Sequence, residues 1–275
     1  MFPDLLDIGF LHLKTYGACM AAGFLLSWRL IERLSGRKDI SNLLLSLMIS
    51  GVVGSRAAYV IEHWQSEFAA NPLAIVRIDQ GGLMFYGGLM LALAVFVVWC
   101  LVKREKLFAL ADLLAATIPL GHACGRIGCF FYGCCYGRLS DSAFAVRFPF
   151  HSPAWFEQFH AGLITAAAPT SLPVLPTQLF EAGALLALFV ALQTLYRMRA
   201  RRSWPDGTVS GAYLIGYAVI RFAIEYLRGD PRAEVGALSI GQAISVAMLV
   251  LGGLCLAVPR LVAHRAGKGG GNSAA

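Results

Sequence analysis

The chain has 275 residues, of which 57% are hydrophobic and only 14% are charged, and its formal net charge is +7. Soluble domains carry about 25% charged residues, so the composition excludes an ordinary soluble protein and indicates a polytopic membrane protein. A positive chain can bind nucleic acid, but here the charge lies in short runs between apolar segments. We therefore expect no nucleic-acid partner and assign the charge to the membrane surface.

Seven apolar segments are long enough to cross a bilayer, which takes about 20 residues. They lie at 16–33, 41–62, 82–102, 108–126, 176–197, 208–227 and 239–258. The sequence therefore predicts an all-α fold, a polytopic membrane protein with seven transmembrane helices in one domain, 1–260. The long segment 127–175 lies between spans four and five, and the glycine-rich segment 261–275 is predicted to be a disordered cytoplasmic tail.

Basic residues set the predicted orientation of the spans. Clusters of arginine and lysine follow the first, third, fifth and seventh spans, as in "RLSGRK" and "RMRARR". All four clusters then lie on one side of the membrane, which the positive-inside rule assigns to the cytoplasm. We expect the amino terminus and 127–175 to face outward and the carboxyl terminus to be cytoplasmic.

Polar residues inside the spans fall at one depth in this topology. A charge inside a bilayer costs several kcal/mol unless it is paired or hydrated, so each is a functional hypothesis. Six spans place such residues in the outer half of the membrane: Tyr16, Arg56, Tyr86, His122, Arg126, Gln178, Glu181, Arg221 and Glu225. Arg221, Glu225 and Arg228 share one helical face. Arginines near span ends can also snorkel to the headgroups, an alternative that suits Arg228.

Converging arginines with few carboxylates nearby indicate an anion site. Arginine binds phosphate through a planar fork that is always charged, and the anion available at this depth is a phospholipid headgroup. The turn "GRIG", which contains Gly125 and Gly128, would let the backbone approach such a ligand closely.

The stretch "GRIGCFFYGCCYG", from Gly125 to Gly137, resembles the signature of the prolipoprotein diacylglyceryl transferases. That signature runs Gly-Arg-x-Gly-Asn-Phe-x-Asn-x-Glu-x-x-Gly. Flanking motifs agree in order and spacing: "YG" at Tyr16, "GSRAAYV", "GGLMFYGGL", "LPTQLFE", "VSGAYLIGYAVIRFAIEYLRGDP" and "LSIGQAIS". The resemblance covers nearly the whole chain and is specific in combination.

The resemblance implies a multi-pass enzyme of the bacterial cytoplasmic (inner) membrane, with its active site toward the periplasm. The implied reaction moves the diacylglyceryl group of phosphatidylglycerol to the lipobox cysteine thiol of a prolipoprotein and releases glycerol 1-phosphate. The implied partners are phosphatidylglycerol, the prolipoprotein signal peptide and the surrounding membrane lipids. The resemblance implies no metal and no organic cofactor.

Matching the motifs residue by residue suggests roles. Arg126 and Arg221 match arginines that bind the phosphate and stabilise charge on the leaving group. Glu225 matches a carboxylate that orients Arg221 or handles a proton. The residues predicted to bind substrate are Tyr16, Arg56, Gly125, Gly128, Gly137, Gln178, Glu181 and Arg228.

Several positions depart from the family pattern. Tyr86 stands where the family usually has histidine, and Cys129, Tyr132 and Cys134 replace the signature's two asparagines and its glutamate. Histidine is the natural proton acceptor near neutral pH, whereas tyrosine has a pKa of about 10. His122 or Glu225 is our hypothesis for the group that takes over proton transfer, with Tyr86 as a further catalytic candidate.

The cysteines around the signature leave several interpretations open. Cys124, Cys129, Cys134 and Cys135 could form a four-thiolate zinc site, but their spacing is unlike paired Cys-x-x-Cys motifs, and adjacent cysteines rarely ligate one ion. A disulfide such as Cys129–Cys134 fits an oxidising compartment. The thiols could also fill a tight turn, or one could carry the diacylglyceryl group as an intermediate. The prediction is a site without metal.

Two other functions remain open at this point. One is a related membrane lipid transferase with a different acceptor, which the substitutions at Tyr86, Cys129 and Cys134 would suit. The other is a non-catalytic protein that binds or transports lipid. A transport path needs polar groups in the inner half of the membrane, where Asp112 is the evident candidate, and the chain lacks the internal repeats of transporters.

Overall fold

The computed structural model describes residues 4–8, 11–37, 39–77, 81–230, 234–236 and 238–269. The helices are α1 (Thr15–Ser35), α2 (Ile40–Glu62), α3 (Phe85–Lys103), α4 (Leu107–Ala115), α5 (Ile118–Tyr132), α6 (Pro153–His160), α7 (Thr177–Arg202), α8 (Thr208–Glu225) and α9 (Ile240–Gly269). Two short antiparallel hairpins add to the predicted all-α fold: β1 (Asp4–Ile8) with β2 (Leu11–Lys14), and β3 (Glu234–Val235) with β4 (Leu238–Ser239).

Helices occupy all seven predicted segments, and several are suited to a bilayer core. Among the described residues, α2, α3, α7 and residues 240–258 of α9 are each long and apolar enough to cross a membrane. The bent pair α4–α5 adds a fifth candidate span. The chain is therefore a multi-pass membrane protein. α1 and α8 are long but carry charged residues (Arg29, Glu32 and Arg33; Arg221 and Glu225), and the seven-span count and the sides of the termini stay predictions.

The fourth predicted span is bent by 40° between α4 and α5. Pro119 lies in the first turn of α5, where its missing N–H is tolerated but where the helix cannot continue smoothly from α4. α5 then runs to Tyr132, so Arg126 lies inside the helix and not at the predicted end of a span. α9 also continues further than expected, to Gly269, whereas the predicted disordered tail begins at 261.

The chain divides into two compact units, Ile31–Leu110 and the remainder, Met1–Leu30 with Ala111–Ala275. In the unit 31–110, α2 and α3 cross through glycines. A Cβ at Gly54 would lie 2.5 Å from the carbonyl oxygen of Gly87, and one at Gly88 would lie 2.6 Å from the carbonyl oxygen of Gly51. Small residues allow such close backbone approach in membrane helix pairs. The single-domain organisation stays a prediction.

Arg56 holds the segment between α2 and α3. Its buried guanidinium donates hydrogen bonds to five backbone carbonyls, those of Ala74, Ile75, Arg77, Gly81 and Gly82, at 2.7–3.3 Å. An arginine side chain has five N–H donors, so the number of carbonyl acceptors equals the number of its donors. This geometry gives Arg56 a structural role within its unit, and the substrate contact expected of it stays a prediction.

Asp112 has a structural role in the other unit. Its fully buried carboxylate accepts hydrogen bonds from the backbone N–H groups of Gly207 (2.9 Å) and Ser210 (2.7 Å) at the start of α8, and it pairs with Arg199 at 3.2 Å. A carboxylate is favoured at a helix N-terminus. Asp112, the candidate for a polar group on a transport path, therefore holds the start of α8.

We expect Gly54→Ala to destabilise the protein by about 1–3 kcal/mol because the new methyl group would press on backbone atoms of α3. The matched control is Gly51→Ala on the same helix, where a Cβ meets no atom within 4 Å. Thermal unfolding in detergent measures the difference. Equal melting temperatures for the two variants would contradict the close crossing.

Candidate active site

Four charged side chains form a continuous chain of ion pairs across α5, α7 and α8. Arg126 Nη2 lies 3.1 Å from Glu181 Oε1, and Arg221 Nη1 lies 3.8 Å from Glu181 Oε2. Arg221 Nη2 also pairs with Glu225 Oε2 at 2.7 Å. The side chain of Glu181 is only 1% exposed. One buried carboxylate therefore lies between two arginines that come from different helices.

The carboxylates correct one expectation from the sequence. We predicted arginines with few carboxylates nearby, whereas Arg126 and Arg221 are balanced by Glu181 and Glu225. The cluster is formally neutral, as a buried cluster of charges needs to be. Glu181, which we predicted to bind substrate, thus forms ion pairs with both arginines.

Glu225 is fixed by the start of α9. Ser239 Oγ donates a hydrogen bond of 2.7 Å to Glu225 Oε1, and a Cβ on Gly241 would lie 2.8 Å from Glu225 Oε2. The first turn of a helix favours an anion. The motif "LSIGQAIS" contains both residues, but nothing in its sequence indicates that its serine and glycine contact Glu225.

A backbone crossing at Gly137 joins the elements that carry these residues. The N–H of Gly137 donates to the carbonyl of Leu175 (2.8 Å) before α7, and the N–H of Arg138 donates to the carbonyl of Leu227 (2.9 Å) after α8. A Cβ at Gly137 would lie 2.7 Å from the Leu227 oxygen. Gly137 therefore allows close backbone packing, and its contact with substrate stays a prediction.

The turn after α5 gathers three cysteines. α5 ends at Tyr132 and is capped by Gly133 (φ 83°), and Cys135 also has a left-handed backbone (φ 61°). The thiols of Cys129, Cys134 and Cys135 all lie within 4.8 Å of one another. Adjacent thiols therefore do lie close together in this turn, where Cys135 has a left-handed backbone, and the absence of a metal stays a prediction.

The first turn of α7 holds this cysteine turn in place. Gln178 Nε2 donates to the carbonyl of Cys134 at 2.7 Å, and Thr177 Oγ1 donates to the carbonyl of Cys135 at 2.8 Å. Both side chains are buried. Gln178 thus holds the backbone of the cysteine turn, and the substrate contact predicted for it stays a prediction.

Arg228 is paired on two sides. Its guanidinium makes two hydrogen bonds with Asp230, at 2.7 and 2.9 Å, and it interacts with the thiol of Cys135. Hydrogen bonds from the thiols of Cys129 and Cys134, together with the charge of Arg228, lower the pKa of the Cys135 thiol below its usual value. Arg228 thus belongs to the surroundings of the cysteine turn.

The α5 residues near Arg126 in sequence pack against α1 and α8. A Cβ at Gly128 would lie 3.1 Å from the Tyr16 ring, and one at Gly125 would lie 2.9 Å from the sulfur of Met20, so the signature glycines allow α5 to pack against α1. His122, one turn before Arg126, contacts the Tyr217 ring with centroids 5.1 Å apart.

Tyr86 and Arg56 belong to the unit 31–110. Tyr86 lies in the first turn of α3 and is about half exposed. The N–H of Met84 donates to the carbonyl of Ser55 at 3.0 Å, which fixes the entry to α3 beside the segment that Arg56 holds. Their convergence with Arg126 and Arg221 stays a prediction.

The segment after the cysteine turn has its own small core. Tyr136, Phe148, Ala154 and Val174 are buried together. The hydroxyl of Tyr136 donates to Glu157 on α6, and burial, followed by this hydrogen bond, raises the pKa of Tyr136. α6 thereby supports the segment that leads from the cysteine turn to Gly137.

Comparison with known proteins decides the family. The family model for prolipoprotein diacylglyceryl transferase matches residues 3–258. The chain belongs to this family. It is similar to the phosphatidylglycerol–prolipoprotein diacylglyceryl transferases of Pseudoalteromonas translucida (32% identity; 93% of this chain and 91% of the relative) and Parasynechococcus marenigrum (33%; 92% of each). The Escherichia coli O1:K1 protein of the same name is 30% identical over 91% of this chain and 90% of its own.

We expect Gly137→Ala to abolish most activity and to lower stability by about 1–3 kcal/mol, because the methyl group would meet backbone atoms on two sides. Gly183→Ala on α7 is the control, since a Cβ there meets nothing within 4 Å. Thermal unfolding and product formation measure both effects. A Gly137→Ala protein as stable and active as the control would contradict the role of the crossing.

Proposed function

We propose that this protein transfers the diacylglyceryl group of phosphatidylglycerol to the lipobox cysteine of prolipoproteins and releases glycerol 1-phosphate. Family membership over residues 3–258 and the names of the relatives support a transferase of lipoprotein biosynthesis. The observation that carries the site is the buried pair Arg126–Arg221, which Glu181 holds between α5 and α8.

The arginines retain donors for a phosphate. Arg126 Nε and Arg221 Nη1 are buried without a hydrogen-bond partner among the described residues. An unsatisfied buried donor is costly, and a charged one more so. A phosphate oxygen is the acceptor that best suits a guanidinium N–H. The donor phosphodiester would accept from these groups while Glu181 keeps the two guanidinium groups in place.

The charge of the reaction fits this arrangement. Phosphatidylglycerol carries one negative charge on its phosphate, and glycerol phosphate gains a second as the carbon–oxygen bond breaks. Arginines already fixed by buried carboxylates would stabilise the added charge without reorganising. Glu225 would orient Arg221, Tyr16 would line the lipid site, and His122 and Tyr86 are the side chains proposed to assist proton transfer.

The location proposed for the reaction is the periplasmic side of the bacterial cytoplasmic membrane. The basic residues in the last turns of α1, α3 and α7 support an orientation with the arginine pair toward the outer face. The lipid would then reach the site from the surrounding membrane and the prolipoprotein signal peptide from the same leaflet.

Reconstituted transfer tests the function. The protein in liposomes with phosphatidylglycerol and a lipobox peptide should release glycerol phosphate and add one diacylglyceryl mass to the peptide. Arg126→Lys and Arg221→Lys should each slow transfer by about 10²–10³-fold, since lysine keeps the charge but loses the planar fork. The control is Arg197→Lys, an exposed position late in α7.

The two products separate the alternatives. Glycerol phosphate release without a mass gain on the peptide would indicate a lipid transferase with another acceptor. Phosphatidylglycerol binding with neither product would contradict enzymatic function. Equal rates for the wild type and both site variants would contradict the assigned phosphate site.

A further inference from the structure

The thiols of Cys129, Cys134 and Cys135 have the spacing of a metal site. All three lie within 4.8 Å of one another. Zinc–sulfur bonds of about 2.3 Å in a tetrahedral site place the ligand sulfurs roughly 3.8 Å apart. Small side-chain rotations would therefore bring the three sulfurs to three corners of one tetrahedron.

The turn is built to keep these thiols together. Cys129 lies in the last turn of α5, and Gln178 and Thr177 fix the carbonyls of the other two cysteines. Holding a non-glycine residue such as Cys135 at positive φ costs about 1–3 kcal/mol, a cost found often at functional sites. The left-handed backbone at Cys135 brings its thiol close to that of Cys134.

We propose that Cys129, Cys134 and Cys135 bind one Zn²⁺ and leave its fourth position for the thiol of the acceptor cysteine. This inference rests on the proposed function. Soft thiolate ligands select zinc over harder divalent ions, and zinc sites with three protein ligands keep an open position for water or substrate. All three cysteines are partly exposed.

The cluster lies beside the proposed phosphate site. Cys129 follows Arg126 by three residues on α5, and Gln178, which holds Cys134, precedes Glu181 by three residues on α7. Residues three apart on a helix are surface neighbours, with Cβ atoms about 5–6 Å apart. A zinc-bound thiol would thus lie about one helical turn from a phosphate held by Arg126.

The chemistry balances without an oxidant or reductant. A thiol that coordinates a metal loses its proton, and this proton passes to water. The thiolate sulfur then forms a bond to the glycerol carbon as the carbon–oxygen bond to phosphate breaks. The electron pair of that bond leaves on the oxygen of glycerol phosphate, whose new charge falls to Arg126 and Arg221. Zinc stays divalent throughout.

This assignment accounts for two departures from the family pattern together. Tyr86 stands where the family usually has histidine, so a base of near-neutral pKa is replaced by a phenol. Cys129 and Cys134 stand where the signature has asparagine and glutamate. Zinc bound by these cysteines would activate the acceptor thiol, the task for which a phenol is poorly suited.

Cobalt substitution tests the metal site directly. The purified, reduced and metal-free protein should bind one equivalent of Co²⁺ with sulfur-to-cobalt charge-transfer bands and intense tetrahedral bands, and one equivalent of Zn²⁺ should displace it. Cys129→Ser and Cys135→Ser should weaken binding by more than the roughly 10–100-fold that the loss of an outer partner costs. The control is Cys124→Ser, on the same helix but packed beside Gly23 of α1.

Several results would overturn the metal site. One is a wild-type protein that binds no cobalt through sulfur, a measurement that needs no variant to fold. Another is a disulfide among the three cysteines in freshly isolated protein, read from the mass after alkylation with and without reduction. Equal affinity in Cys124→Ser and the other two variants would also exclude it.

The acceptor peptide tests the fourth ligand. A lipobox peptide should shift the cobalt bands and release one proton, and its Cys→Ser form should do neither. Zinc-loaded protein should transfer at least about 10²-fold faster than stripped protein, a loss typical of an electrostatic catalytic group. Equal rates would overturn the zinc role and leave the proposed function intact. Cobalt bands that respond to the peptide, with no transfer by either protein, would overturn the proposed function and leave the metal site standing.

Discussion

The buried carboxylate of Glu181 is the interaction on which the proposed active site depends. Arg126 and Arg221 come from helices that are distant in sequence. Without the negative charge between them, the two guanidinium groups would repel each other in an apolar setting. Glu225 adds the fourth charge and is itself held by Ser239. The charges of the proposed site therefore balance in the absence of substrate, and its arginines are already held in place for a phosphate.

Backbone packing sets the geometry of this charge network. The crossing at Gly137 ties the chain after α5 to the start of α7 and the end of α8. Gln178 and Thr177 tie the same α7 turn to the cysteines. The signature sequence thus supplies one charged residue, Arg126, to the ion-pair network. Its small residues allow the chain after α5 to pack closely against α7 and α8.

Much of this architecture could be read from the sequence, and the rest depended on tertiary contacts. Apolar runs located the helices because length and hydropathy are local properties. Charge inside those runs located Arg126, Arg221 and Glu225. The role of Arg56 could not be predicted, because its carbonyl partners lie about 20 residues away, in the connection between α2 and α3. The sequence named the cysteines as one possible metal site but could not show that three of their thiols meet, since the left-handed backbone at Cys135 has no signal in residue spacing.

The dependence on Glu181 can be measured through the stability of a Glu181→Gln protein. Removing one partner of a buried ion pair costs about 3–5 kcal/mol, so the variant should unfold at a lower temperature than the wild type. Glycerol 1-phosphate should restore the missing negative charge and raise the variant's melting temperature more than the wild type's, whereas neutral glycerol should not. An unchanged melting temperature without the anion, or equal shifts with it, would contradict the account.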